Sequence, residues 1–251
     1  HKPQHISLCV IQAATEDEGA GPGTSGRLGH QVAEQNPSAW GQVCRAKGAV
    51  ERGGEKEHRA AAVHGGQGTE YSLNGYRSKD GKVSMVLARN LLSDMRPMWV
   101  GNHLVQVDHE DSLMYSLAEK IVDSLSYVGL FNLDFKKDSK SGKVYTLEMN
   151  IRQGRTFYYS TLAGVNLIKI ATEDMILGKS VSERTKRAFM LTAINKNVAR
   201  DHVDPSLLDE FDDKKRNENS AIHIINSADD GIMRNIRVKD ALRRQEKELY
   251  D

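Results

Sequence analysis

The rhythm of apolar and polar positions changes near residue 68. Before it, apart from ISLCVI at residues 6–11, apolar residues follow neither the two-residue period of a strand nor the 3.6-residue period of a helix. After it, short alternating runs and helical runs succeed one another. YSLNGYRS (71–78) and KVSMVLAR (82–89) flank the turn signal Lys79-Asp80-Gly81 and predict a hairpin, with Val83, Met85 and Leu87 on one side. HLVQVDH (103–109) predicts a further strand. SLMYSLAEKIVDSLSYVG (112–129) predicts a helix with Leu113, Leu117, Ile121, Val122 and Leu125 on its apolar face, ending near Tyr127 and leaving through Gly129.

The most informative run is GLFNLDFKKDSKSGKVYTLEMNIRQGR, residues 129–155. Its two halves alternate about a polar turn and predict a second hairpin. If Asp138 opposes Val144, then Phe135 opposes Leu147 and Leu133 opposes Met149. Phe131, Leu133, Phe135, Tyr145, Leu147 and Met149 would form one apolar face. The other face would set Asp134 directly across from Glu148, flanked by Asn132, Lys136, Thr146 and Asn150. Opposed like charges destabilise a sheet unless compensated, and a divalent cation would compensate them. Asn150 adds an oxygen ligand of the kind that Mg²⁺ prefers. Two other readings use the same residues. The pair could be a surface cluster neutralised by Lys136 and Arg152, or the two carboxylates of a glycosidase, although Lys, Asn and Arg suit phosphate better than sugar.

Beyond Arg155, FYYSTLAGVNLIKIATEDMILGK (157–179) predicts a helix through Leu162, Leu167, Ile168, Ala171, Met175 and Ile176, closed by Gly178. Residues 184–200 read as helical or mixed, PSLLDEFDDKKRNENS (205–220) as a short amphipathic helix followed by solvated charges, and AIHIIN (221–226) as a strand. VKDALRRQEKELYD (238–251) reads as a surface helix without a binding role.

Composition adds exclusions. With 35 basic and 34 acidic residues, no general attraction to nucleic acid or to an anionic membrane is implied. The two cysteines, Cys9 and Cys44, build neither a disulfide framework nor a CxxC site. No run is long enough to span a membrane, and the apolar part of HKPQHISLCVIQAATEDEG is too short for a signal peptide, so a cytoplasmic protein is expected. The Gly-rich segments 19–29 and 51–68 match no phosphate-binding loop. Ser160 and His103 belong to no recognisable triad.

The order DF, a Gly-containing turn and LEMNIRQGR resembles the C-terminal catalytic core of ATP-grasp ligases, particularly the D-aspartate ligase type. The resemblance runs from about Glu70 to Tyr250. It implies an α+β fold, an ATP-grasp-like antiparallel sheet flanked by helices, over residues 69–251. Residues 1–68 read as an atypical region, disordered or divergent, in which the usual complete N-terminal domain and lid are not recognisable. By resemblance, Asp134, Glu148 and Asn150 ligate Mg²⁺, Arg152 faces the phosphates of ATP, and Gln153, Gly154 and Arg155 line the acceptor and acyl-phosphate side, with Arg152 and Arg155 catalytic. The activity implied is ATP-dependent joining of a small amine or amino acid to a carboxylate, such as a cell-wall precursor, through an acyl phosphate. With no complete lid elements in residues 1–68, weak or absent turnover by this chain is expected. The alternative is a non-catalytic nucleotide-binding or protein-interaction module.

Overall fold

The computed structural model describes residues 66–94, 102–225 and 231–250. The expectation for residues 1–65 lies outside them. Seven strands form one sheet: β1 (Glu70–Arg77), β2 (Val83–Ser93), β3 (His103–Asp108), β4 (Gly129–Lys137), β5 (Val144–Asn150), β6 (Met190–Thr192) and β7 (Ser220–Ile222). Their order is β5-β4-β1-β2-β3-β6-β7, antiparallel throughout except for the parallel pair β6–β7 at one edge. The α+β class and the antiparallel sheet flanked by helices are therefore as the sequence implies.

Alternation explains how the sheet acquires two unlike faces. On one face Leu73, Met85, Leu87, Phe131, Leu133 and Phe135 are buried beneath α1 (Ser112–Ser124). Asp111 caps that helix, its carboxylate accepting from the backbone N–H of Leu113 at 2.9 Å and of Met114 at 3.1 Å. The buried residues of α1 are Met114, Tyr115, Ala118, Ile121 and Val122. The expected stripe is thus rotated: Leu113 is exposed, and Leu117 and Leu125 are only partly buried.

The opposite face is covered in part by α2 (Tyr159–Leu162) and α3 (Leu167–Leu177), which pack Tyr159, Ala163, Leu167 and Ile170 on Tyr76, Val86 and Ala88. The single helix expected from Leu162 to Ile176 is therefore two. A turn at Ala163–Asn166 separates them, with Gly164 at φ 83° and the Asn166 side chain capping α3 through Lys169 N–H at 3.0 Å. Gly178 closes α3 at φ 65°, as its position suggests. Met175 and Ile176 are exposed rather than buried.

A third cluster joins Leu92, Val105, Val107 and Met190 to α4 (Lys196–His202), a 3₁₀ turn (Pro205–Leu207) and α5 (Leu208–Phe211). Then follow α6 (Lys214–Glu218) and α7 (Ile232–Tyr250). Among the described residues no helix is long and apolar enough to cross a membrane.

Candidate functional site

The β4–β5 hairpin keeps the expected pairing where the carboxylates lie. Asn132 opposes Asn150, Leu133 opposes Met149 and Asp134 opposes Glu148. Nearer the turn the expected register fails, because Phe135 opposes Thr146 and Lys137 opposes Val144. Leu147 is thus the extra residue of a β-bulge. The bulge reverses facing beyond it. Val144 enters the core beside Phe135 and Thr146 is buried, whereas Tyr145 and Leu147 are only partly buried and outside that cluster. Tyr145 and Leu147 therefore leave the expected apolar face, and Thr146 leaves the polar one.

Strand β1 completes the polar floor, with Ser72 beside Asp134 and Asn74 beside Asn132. Ser72 Oγ donates to Asp134 Oδ1 at 2.8 Å, and Asn132 Nδ2 lies 3.0 Å from Ser72 Oγ and 3.2 Å from Asn74 Oδ1. Asn150 Nδ2 donates to Glu148 Oε1 at 2.9 Å and to Asn132 Oδ1 at 3.2 Å. Both amides are thereby fixed as donors towards their neighbours, leaving the Asn150 carbonyl oxygen on the side of its group away from those bonds.

Electrostatics set Asp134 apart from a solvated surface carboxylate. Burial, above all, raises the Asp134 pKa to about 7; the Ser72 hydroxyl opposes this, while the Glu148 charge and a hydrogen bond between the two carboxyl groups reinforce it. The neutralising partners of a surface cluster are engaged elsewhere: Lys136 Nζ is 3.4 Å from Glu70 Oε1, and Arg152 Nη1 donates to the Gln153 carbonyl at 3.0 Å. Two carboxylates and an amide oxygen fit a hard, oxygen-preferring ion such as Mg²⁺. Among the described residues no set of three or more His, Cys, Asp or Glu side chains forms a metal cluster, so Asn150 would be integral to any such site.

These groups line a cleft of about 250 Å³, whose wall includes Arg152, Gly154, Arg155 and Thr156. Gly154 seats this segment on the floor, since a Cβ there would meet Asn132 Cγ at 3.4 Å and Asn74 Oδ1 at 3.6 Å. Gln153 is exposed and outside the cleft lining. Neither Arg152 nor Arg155 forms an ion pair with a described carboxylate. Arg77, the last residue of β1, is turned to Asp123 and the Tyr127 carbonyl at 2.8 and 3.1 Å.

Ser72, Asn102, His103 and Thr156 also line the cleft, and the sequence reading assigned none of them to it. Ser72 had a readable signal, the polar positions Ser72 and Asn74 alternating with Tyr71, Leu73 and Gly75. His103 had none, because a fold contact places it there. Burial holds the His103 pKa down to about 4 despite Glu70; the Arg155 charge lowers it further and Glu148 raises it, so the ring is neutral near pH 7.

Residues 66–197, just over half of the chain, match the family described as "ATP-grasp in the biosynthetic pathway with Ter operon", and the chain belongs to that family. It is 34% identical over 114 residues to D-aspartate ligase of Enterococcus faecium (strain Aus0004), a match covering 45% of this chain and 27% of that protein. It is also 34% identical over 77 residues to the C-terminal section of the carbamoyl phosphate synthase large chain of Methanopyrus kandleri, covering 30% and 14%. The chain thus spans well under a third of the length of either curated relative. Among solved structures, N5-carboxyaminoimidazole ribonucleotide synthetase from Thermus thermophilus aligns with a TM-score of 0.42 at 17% identity, over 53% of this chain and 37% of that one. L-amino acid ligase from Bacillus licheniformis aligns with a TM-score of 0.35 at 16% identity, over 43% and 29%.

Proposed function

We propose that residues 69–251 form the catalytic core of an ATP- and Mg²⁺-dependent ligase that joins an amine to a carboxylate through an acyl phosphate. The observation that carries this reading is the apposition of Asp134 and Glu148, directly opposed across the hairpin, with Asn150 and two arginines at the same cleft. In this reading Asp134, Glu148 and Asn150 hold the ion, which when bound offsets charge on the nucleotide phosphates. Arg152 and Arg155 pair with phosphoryl oxygens, a role for which the planar guanidinium is suited. Gly154 lets the backbone approach the reacting groups closely, and Gln153, outside the cleft lining, would meet the acceptor at the cleft's rim.

The chemistry asks for no protein nucleophile. A carboxylate oxygen of the substrate attacks the terminal phosphorus of ATP and ADP leaves. The amine nitrogen then attacks the acyl carbon, phosphate leaves, and the nitrogen loses its proton to solvent. The protein's part is positioning and charge stabilisation. The match to D-aspartate ligase supports an amino acid as the amine.

Calorimetric titration of Mg²⁺-ATP tests the site. The wild type should bind and Glu148→Ala should bind at least about tenfold more weakly; equal binding would remove the metal-site assignment. Phosphate release measured with a panel of amino acids and carboxylates tests the reaction, and release that ignores the amine would reject the ligase.

A further inference from the structure

The last helix, α7, has two unlike sides. Arg234, Val238, Leu242 and Gln245 recur at helical spacing and turn inward, with Leu242 buried. Ile232, Ile236, Arg243 and Lys247, spaced by four, seven and four residues, run along the opposite side, and Met233, Arg237 and Lys239 flank them. There Ile232, Met233 and Ile236 are 79%, 64% and 56% exposed. Single exposed apolar side chains are ordinary, but three at the start of one helix form a patch.

Beyond that patch the outward side is basic. Among the described residues none of Arg237, Lys239, Arg243 and Lys247 pairs with a carboxylate. The acids of α7 do not cancel them. Asp240 is held by Arg244 at 2.6 Å, Glu246 is half-buried, and Glu248 is already engaged. The near balance of charge over the whole chain thus conceals a local excess.

We infer that α7 docks lengthwise on a membrane surface containing anionic lipid, with Ile232, Met233 and Ile236 entering the boundary between headgroups and acyl chains and the four cations lying among lipid phosphates. Nucleic acid would meet the charges but leave the isoleucines in water, and a neutral apolar partner would do the reverse. A headgroup layer supplies both at once. Long Lys and Arg side chains on flexible stems have no fixed geometry for one pattern of protein carboxylates, whereas a diffuse sheet of negative charge asks for none, and their stems can lie along the apolar boundary. This is docking on a surface, not spanning, and it does not depend on the ligase reading.

Cosedimentation of the full chain with vesicles tests it, comparing equal parts of phosphatidylglycerol and phosphatidylcholine with phosphatidylcholine alone. The wild type should bind the anionic vesicles, less so in high salt, and should not bind the neutral ones. Removing two cations in Arg243→Gln with Lys247→Gln should weaken binding about twentyfold, at about fivefold for each. Ile232→Ser with Ile236→Ser should weaken it by about tenfold or more. Lys214→Gln with Lys215→Gln, two exposed cations on α6, should bind as the wild type does. If an α7 variant melts lower than the wild type, hydrogen exchange of the wild type decides: anionic vesicles should slow the amides of 232–247 and leave those of 214–218 unchanged. Absence of binding, equal binding to both vesicles, unchanged exchange in α7, or full binding by the Arg243 and Lys247 variant would overturn the inference. Binding that survives loss of both isoleucines would show attraction to charge alone and overturn it as well.

Discussion

Tyr159 Oη donates to the backbone carbonyl of Ser72 at 2.8 Å, so the helical layer is bonded to the residue whose hydroxyl donates to Asp134. Tyr159 is fully buried, and its ring stacks on Phe189 with centroids 5.4 Å apart. Tyr159→Phe keeps the stack but deprives a buried carbonyl of its donor. The expected loss is about 1–3 kcal/mol of unfolding free energy, measured by urea denaturation. A stability equal to wild type would show that the bond contributes nothing.

Gly75 faces the Phe131 ring so closely that a Cβ would lie 2.3 Å from Cζ. Phe131 is fully buried in the cluster beneath α1 and cannot move aside into solvent. Gly75→Ala should therefore destabilise the protein by about 1–3 kcal/mol, despite the better strand propensity of alanine. In the double variant Gly75→Ala with Phe131→Leu, the loss due to the alanine should shrink, a coupling that a double-mutant cycle would measure.

Tyr76 is buried and donates to Asp174 Oδ2 at 2.7 Å, tying β1 to α3. Burial first, then this bond and the Asp174 and Asp80 charges, push its pKa up to about 12 from 10.0. Between those values the unfolded chain has lost the phenolic proton and the folded chain retains it. Fewer protons are bound in the unfolded state, so this group makes stability fall as pH rises from 10 towards 12. Tyr76→Phe should lose the bond near neutral pH yet show a flatter decline across that alkaline window, as followed by thermal unfolding. An identical alkaline slope in the two proteins would contradict the assignment.

Arg152 and Arg155 should matter more to turnover than to folding. Both are exposed, so alanine substitution removes little packing. Each variant should melt close to wild type while kcat/KM for the ATP-dependent reaction falls by about a hundredfold or more, in line with the loss of one charge-stabilising donor. Lysine at either position should restore only part of the rate, because an ammonium cannot pair bidentately. Full activity of the double alanine variant would exclude both from the reaction.

Local periodicity carried the polar face of the hairpin because Asp134 and Glu148 flank a stretch where both strands alternate without interruption. It failed at Val144 to Leu147, where Val144 and Thr146 are as acceptable in a core as Tyr145 and Leu147, and one inserted residue decides between the two sets. The same degeneracy affected α1, where Met114 and Tyr115 compete with Leu113 and Leu117, and α3, where Met175 and Ile176 continue a helical pattern past the last residue the sheet covers. His103 reached the cleft through the pairing of β3 with β2, a relationship between distant segments that no spacing within either segment encodes. Ser72 could have been found from its own strand.

The bulge at Leu147 also divides the hairpin into two mechanical regions. On the cleft side the chain is held in register by paired asparagines and the joined carboxylates; on the turn side the register has already slipped by one. Length changes arising in the 138–143 turn can then be absorbed at the slipped end, before they reach the carboxylates. An insertion in that turn should therefore leave Asp134 and Glu148 opposed, whereas any insertion between Glu148 and Asn150 would separate the carboxylate pair from the amide that completes it.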